Sequence, residues 1–130
     1  MRITLKDVHK HFGKVKANNG VTLTVEPGSI HGLLGENGAG KSTLMKILSG
    51  FCRKTAGDIL LNGRAVEIQS PVHAAALGIG MLYQDPLDFP YLSVLENYML
   101  GRARRRGDGK AVFRQELIRL AEKFNFNLDP

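Results

Sequence analysis

Hydrophobic and polar residues alternate in two stretches near the start of the chain, residues 3 to 9 and residues 21 to 25. Alternation with a period of two predicts β-strands that bury one face. Residues 11 to 20, which lie between them, are polar and rich in turn-forming residues, so they predict a connection. Two apolar-rich runs, residues 29 to 34 and residues 79 to 83, predict short buried strands.

Turn residues place a hairpin and a short helix after these strands. Residues 57 to 63 read as a strand followed by an Asn-Gly turn, and residues 65 to 68 read as the returning strand. A serine is favoured as a helix cap and a proline at the first helical position, so Ser70 and Pro71 predict the start of a helix. Gly78 predicts its end.

The last forty or so residues have a helical pattern. Ser93 and Glu96 stand three residues apart, which is the spacing of a capping box at a helix start. A second, longer helix is predicted over residues 111 to 124 by a broad apolar stripe. Its members are Ala111, Val112, Leu117, Ile118, Leu120, Ala121 and Phe124.

Residues 35 to 43 read GENGAGKST, a composition that suits neither a helix nor a strand. Glycines reach positive φ at little cost, so they let successive backbone N–H groups converge on an anion. The stretch follows a predicted strand and precedes apolar residues at helical spacing, opened by the capping-type hydroxyls of Ser42 and Thr43. This is the phosphate-loop pattern in its expected context. The predicted phosphate-binding residues are Gly35, Glu36, Asn37, Gly38, Ala39, Gly40, Lys41, Ser42 and Thr43.

Composition limits the class of protein. The chain has 130 residues, of which 43% are hydrophobic and 23% charged, as is ordinary for a globular domain. It lacks a run of 18 apolar residues that would span a membrane. Its single cysteine, Cys52, has no partner for an internal disulfide, which agrees with a reducing cytosol.

Much of the formal net charge of +6 comes from one glycine-flanked stretch, residues 101 to 110. Its cations are Arg102, Arg104, Arg105, Arg106 and Lys110. The stretch is interpreted as a solvated basic loop, with contact to lipid head groups or an acidic partner as the alternative. Nucleic acid is disfavoured as a partner because no aromatic residue is interleaved for base stacking.

Taken together, these motifs resemble the N-terminal half of the ATP-binding subunit of an ABC transporter, and the resemblance covers essentially all 130 residues. The similar stretches are PGSIHGLLG at residues 27 to 35, KSTLMKILSG at 41 to 50, GDILLNG at 57 to 63, YQD at 83 to 85 and LSVLEN at 92 to 97. Within the family the sequence is most similar to importers of sugars and related small solutes.

The resemblance implies an α/β fold, the P-loop NTPase core of ABC ATPase type, with a mixed sheet and an antiparallel β subdomain. Residues 1–92 would form the ATP-binding core and residues 93–130 the start of a helical subdomain. The signature motif, the Walker B strand and the switch histidine of the family are not in these 130 residues. Leu48-Ser49-Gly50 imitates the signature but is expected to close the phosphate-loop helix. The chain is therefore expected to be an N-terminal fragment, truncated before those motifs and inactive alone.

The resemblance also implies roles for single residues. Lys41 would bind the β- and γ-phosphates of ATP, and Ser42 would ligate Mg²⁺. Gln84 would complete the metal shell and sense the γ-phosphate; the alternative is a polar residue at a strand end. Phe12 would stack on adenine; the alternative is an ordinary core phenylalanine.

Partners follow from the same resemblance. ATP would be buried between two ATP-binding subunits arranged head to tail, as a homodimer or a heterodimer. The segment after Gln84, residues 86 to 92, would face an integral membrane permease subunit at the cytoplasmic face of the membrane. The alternatives are a soluble ABC ATPase without a transport role and a nucleotide-binding fragment without turnover.

Overall fold

A computed structural model of the protein describes residues 1–84, 88–100 and 109–128, and the chain divides into two compact units, residues 1–82 and 83–130. The first unit contains β1 (Ile3–Phe12), β2 (Val15–Val25), α1 (Lys41–Leu48), β3 (Ala56–Leu61), β4 (Arg64–Val66) and α2 (Pro71–Ala76). The second unit contains α3 (Val94–Leu100) and α4 (Lys110–Lys123). The predicted division after residue 92 remains a prediction.

The sheet of the first unit has the order β2-β1-β3-β4, and each neighbouring pair is antiparallel. β1 and β2 form a long hairpin in which Phe12 pairs with Val15. The prediction that residues 11 to 20 form a connection is therefore wrong for most of that range. Gly13, with φ of +58°, closes the hairpin in a short turn, and the polar residues of β2 are accommodated because half of the strand faces solvent.

A β-bulge in β1 brings two core residues to the same face. Leu5 and Val8 are three residues apart, so strict alternation would place them on opposite faces. The strand register shifts between them, and Asp7 has φ of +47°. Both side chains are consequently buried in one cluster. Gly57 of β3 makes room for the bulge, since a β-carbon at that position would lie 2.1 Å from the Asp7 carbonyl oxygen.

The β3-β4 hairpin and α2 form as predicted. The hairpin turn is Asn62-Gly63, whose φ angles of +50° and +82° fit the turn type that Asn-Gly favours. Ser70 caps α2 by accepting a hydrogen bond from the His73 N–H at 3.1 Å. Gly78 follows the helix with φ of +82°.

The two strands predicted at residues 29 to 34 and 79 to 83 are wrong. Both segments lack regular secondary structure, and the side chains of Ile30, Leu34 and Leu82 are almost fully exposed. A strand needs a hydrogen-bonded neighbour. In the described part of the chain the sheet is complete with β1 to β4, and neither segment is paired to it.

The core of the first unit lies between the sheet and α1. Leu44 and Ile47 of α1 pack against Leu5, Val8 and Ile59 of the sheet. Each such side chain contributes about 1.5–3 kcal/mol through burial. The helix ends at Leu48 and is capped by Ser49, and Gly50 follows with φ of +74°. Leu48-Ser49-Gly50, which resembles the signature motif, therefore ends the phosphate-loop helix as predicted.

The described residues of the second unit form two helices, as predicted. The capping box of α3 is confirmed, because the Ser93 N–H donates to Glu96 Oε2 at 2.9 Å and the Glu96 N–H donates to Ser93 Oγ at 3.2 Å. Leu117 and Ala121 of the predicted stripe are buried, together with Phe113, whereas the other members of the stripe are exposed because the buried face of α4 is narrower than predicted. Within the described residues, none of the helices has the length and apolar character needed to cross a bilayer.

Candidate functional site

Residues 35 to 40 of the glycine-rich stretch form a loop, and residues 41 to 43 form the first turn of α1. Within the loop, the Ala39 N–H donates to the Glu36 carbonyl at 3.2 Å. The helix cap is Gly40, and the first bond of the helix runs from the Leu44 N–H to the Gly40 carbonyl at 2.9 Å. The first N–H groups of an α-helix have no acceptor within the helix. Those of residues 41 to 43 therefore point out of the N-terminus of α1, where anions are favoured.

Ser42 and Thr43 are therefore not the helix caps that the sequence suggested. They occupy the second and third positions of α1, while Gly40 adopts the left-handed conformation of the cap position with φ of +87°. A serine or threonine cap has an extended backbone, which this loop does not supply at those positions. Ser42 is exposed on the first helical turn, and Thr43 is half-buried.

Lys41 points back into the loop. Its Nζ donates to the Gly35 carbonyl at 2.7 Å and to the Glu36 carbonyl at 2.8 Å. These two partners are neutral carbonyls at the loop mouth, so neither offsets the charge of the lysine side chain beside the helix N-terminus. A phosphate oxygen is a stronger acceptor for that charge than an amide carbonyl.

Gly40 fits where no other residue does. A β-carbon at this position would lie 2.1 Å from the Ala17 carbonyl oxygen and 2.7 Å from Asn18 Nδ2. Its positive φ adds a second reason for glycine. The loop is thus seated directly against the backbone of β2.

Asn18 is a residue at this site that the sequence analysis did not identify. It is only 4% exposed, and its Nδ2 donates to the Gly40 carbonyl at 3.1 Å. The sequence signal is weak because Asn18 belongs to the polar stretch, residues 11 to 20, that predicts a connection. The signal that could identify it is an asparagine at a position of a β-strand that faces the protein interior.

Phe12 lies at the end of β1 beside the hairpin turn. Its side chain is 53% exposed, so the alternative of an ordinary core phenylalanine is wrong. The Lys10 ammonium lies 4.8 Å from the centroid of its ring. An exposed aromatic ring in the same unit as the phosphate loop is compatible with base stacking, which stays a prediction.

Gln84 and the loop belong to different compact units. Gln84 is exposed in the second unit. The next residues, 85 to 87, lie outside the described residues, as do residues 101 to 108 with the arginines of the basic stretch. The predicted metal roles of Gln84 and Ser42 remain predictions.

The side-chain amide of Asn97 forms hydrogen bonds with backbone groups of residues 89 to 93 and holds them in a turn. Asn97 Oδ1 accepts from the Phe89 N–H at 2.8 Å, and Asn97 Nδ2 donates to the carbonyls of Phe89, Leu92 and Ser93. The resulting knuckle, residues 88–93, presents Phe89 and a fully exposed Tyr91 to solvent. So much exposed aromatic surface on one fixed turn is typical of a contact surface.

Comparison with known proteins gives consistent matches. A family model described as ABC transporter matches residues 18–129. A ribose import ATP-binding protein of Chromobacterium violaceum is 51% identical over 82% of this chain and 21% of its own length. Another, of Streptomyces avermitilis, is 43% identical over 98% of this chain and 26% of its own length. The chain therefore spans about a quarter of the length of the curated relatives it matches.

Among solved structures, a nucleotide-free ATP-binding cassette from an ABC transporter superposes with a TM-score of 0.74 at 26% identity. The match covers 95% of this chain and 52% of that one. This similarity confirms the predicted α/β cassette fold.

Proposed function

Because the chain belongs to the ABC transporter family, we propose that it forms the phosphate-binding part of an ATP-binding subunit of an importer. The subunit would couple ATP binding and hydrolysis to the import of a sugar or related small solute at the cytoplasmic face of a membrane. The relatives that support the choice of solute are named as ribose import ATP-binding proteins.

The observation that carries this proposal is the geometry of residues 35 to 43. The loop ends at a helix N-terminus, and the Lys41 ammonium lies inside it against two backbone carbonyls. When a triphosphate binds, its oxygens can take the place of these carbonyls as acceptors. Phosphoryl transfer requires mainly positioning and charge neutralisation, which these groups supply.

The remaining roles follow the family pattern. Ser42 would hold Mg²⁺ from the first turn of α1, and Gln84 would complete the metal shell. Phe12 would stack on the adenine ring and contribute about 1–3 kcal/mol. The fragment would need a second ATP-binding subunit, in a homodimer or heterodimer, and the motifs absent from its sequence for hydrolysis.

The test of nucleotide binding is a titration with a fluorescent ATP analogue. Wild-type protein should bind it in a manner displaced by ATP, and Lys41→Ala should weaken binding at least about tenfold, since a charged hydrogen bond is worth about 1.5–3 kcal/mol. Lys46→Ala is the matched control, because Lys46 is exposed in the last turn of the same helix. Equal binding by wild type and Lys41→Ala would refute the proposal.

The knuckle at residues 88–93 favours a transport role over a soluble ATPase. We propose that Tyr91, which is fully exposed, contacts the permease subunit. A photocrosslinker at position 91 should attach to an integral membrane protein in cells. The same crosslinker at Val72, which is exposed on α2, is the control. Labelling of soluble proteins alone from position 91 would favour the soluble alternative.

A further inference from the structure

The antiparallel sheet and the phosphate loop meet at one buried polar contact. Asn18 lies on β2 and is 4% exposed, whereas its neighbour Asn19 is exposed. The Asn18 Nδ2 donates to the Gly40 carbonyl at 3.1 Å. This carbonyl is also the acceptor of the first helical bond, from the Leu44 N–H. Two donors from two different elements thus hold one peptide oxygen.

That peptide oxygen lies at the turn between the loop and α1. The adjoining α-carbon of Gly40 is in contact with the Ala17 backbone, which leaves no room for a β-carbon. The Gly40 peptide plane is therefore fixed from one side by packing and from the other by hydrogen bonds. Its orientation sets the direction of the following N–H groups, which face the proposed triphosphate.

The Asn18 side chain is not well suited to a purely structural role. Its Oδ1 is buried and has no hydrogen-bond partner among the described residues. An unsatisfied buried oxygen is destabilising, and an apolar side chain of similar size would avoid that penalty. The polar residue at this position thus has a stability cost that its single bond to the loop must offset.

We propose that Asn18 is a positioning residue that holds the phosphate loop in its binding geometry. The proposal rests on the function proposed above, the binding of ATP by this loop. Asn18 does not touch the nucleotide; it acts through the Gly40 carbonyl. Its effect is therefore on the phosphates and not on the base.

The decisive variant is Asn18→Leu, which removes the donor while filling the same space. Affinity for the ATP analogue should fall by about two- to fivefold, because loss of one ordinary hydrogen bond lets the free loop leave its binding geometry by up to that factor. Displacement by inorganic tripolyphosphate should weaken by the same factor. The thermal midpoint of the nucleotide-free protein should hold or rise, because the unsatisfied oxygen is gone. A residue with only a structural role would show the opposite, a lower midpoint with unchanged tripolyphosphate affinity.

Two controls separate the inference from its premise. Asn19→Leu makes the same chemical change on the exposed side of β2 and should bind like wild type. If Lys41→Ala loses binding while Asn18→Leu retains full affinity, the inference about Asn18 is overturned and the function stands. If Lys41→Ala also binds normally, the proposed function itself fails.

A measurement on the wild-type protein remains available if Asn18→Leu does not fold. The side-chain amide protons of Asn18 should exchange slowly in NMR spectra, and their resonances should move when tripolyphosphate is added. Fast exchange together with resonances that do not move would overturn the proposal.

Discussion

The paired strands and the segment of residues 29 to 34 make an instructive contrast. In β1 and β3, Leu5 and Ile59 are 1% and 2% exposed. In the unpaired segment, Leu34 is 94% exposed although its apolar character is the same. The difference lies in hydrogen-bonding neighbours, since β1 has a partner on each side and the segment has none in the described part of the chain.

The unpaired segments lie beside unfilled apolar space. Two cavities of about 340 and 260 Å³ flank α1, one lined in part by residues 79 to 82 and the other by His31 and Leu33. Both also touch Met45 and Leu48 of the helix. The apolar residues of the two unpaired segments therefore lie beside a surface of α1 that the four-stranded sheet does not cover.

The largest expected effect compares two isoleucines. Ile59→Ala, in β3, should lower the free energy of unfolding by about 2–5 kcal/mol, because it leaves a cavity in the core. Ile30→Ala, in the unpaired segment, should change it by less than about 0.5 kcal/mol, since the side chain is exposed. Urea unfolding monitored by circular dichroism measures both. Equal losses would show that residues 29 to 34 are packed in solution, and the contrast would be wrong.

An intermediate effect compares two glycines with positive φ. Gly57→Ala places a β-carbon 2.1 Å from the Asp7 carbonyl, whereas Gly13→Ala meets no atom within 4 Å. We expect Gly13→Ala to cost about 1 kcal/mol from backbone strain, and Gly57→Ala roughly 2 kcal/mol more. Thermal unfolding of the two variants provides the comparison. Similar midpoints would mean that the bulge in β1 is not a fixed feature.

The smallest effect concerns the capping box of α3. The Ser93 N–H and the Ser93 hydroxyl, followed by the nearby Lys110 charge, hold the pKa of Glu96 below its ordinary value. A lowered folded-state pKa means that the stabilisation is present above the pKa of an unfolded glutamate and is lost as the pH falls through the folded-state pKa. Glu96→Gln should therefore have a lower thermal midpoint than wild type at neutral pH. The two midpoints should converge in acid. A difference that persists unchanged in acid would contradict this explanation.

Local sequence signals predicted the structure well where the determinants are local. The Asn62-Gly63 turn, the Ser70 cap and the Ser93–Glu96 box each involve residues within four positions of one another, and all three were confirmed. The glycine-rich loop is predicted from local residues in the same way, because glycines and a lysine at fixed spacing specify its turn, although its contact with Asn18 of β2 is tertiary.

Predictions that needed distant partners were less accurate. Composition alone predicts strands at residues 29 to 34 and 79 to 83, although a strand also requires a hydrogen-bonded neighbour. Asn18 escaped notice because its importance comes from Gly40, 22 positions away. In both cases the deciding contact is tertiary, so no short window of sequence contains it.

An amide-resolved NMR titration of the purified chain with inorganic tripolyphosphate tests, residue by residue, whether residues 35 to 43 bind phosphate. If residues 35 to 43 bind phosphate, the largest shifts will fall on the backbone amides of residues 38 to 43, with those of residues 29 to 33 nearly unmoved. Shifts spread over residues outside the loop, with none at residues 38 to 43 when the rest of the spectrum has saturated, would show that the loop is not the phosphate site.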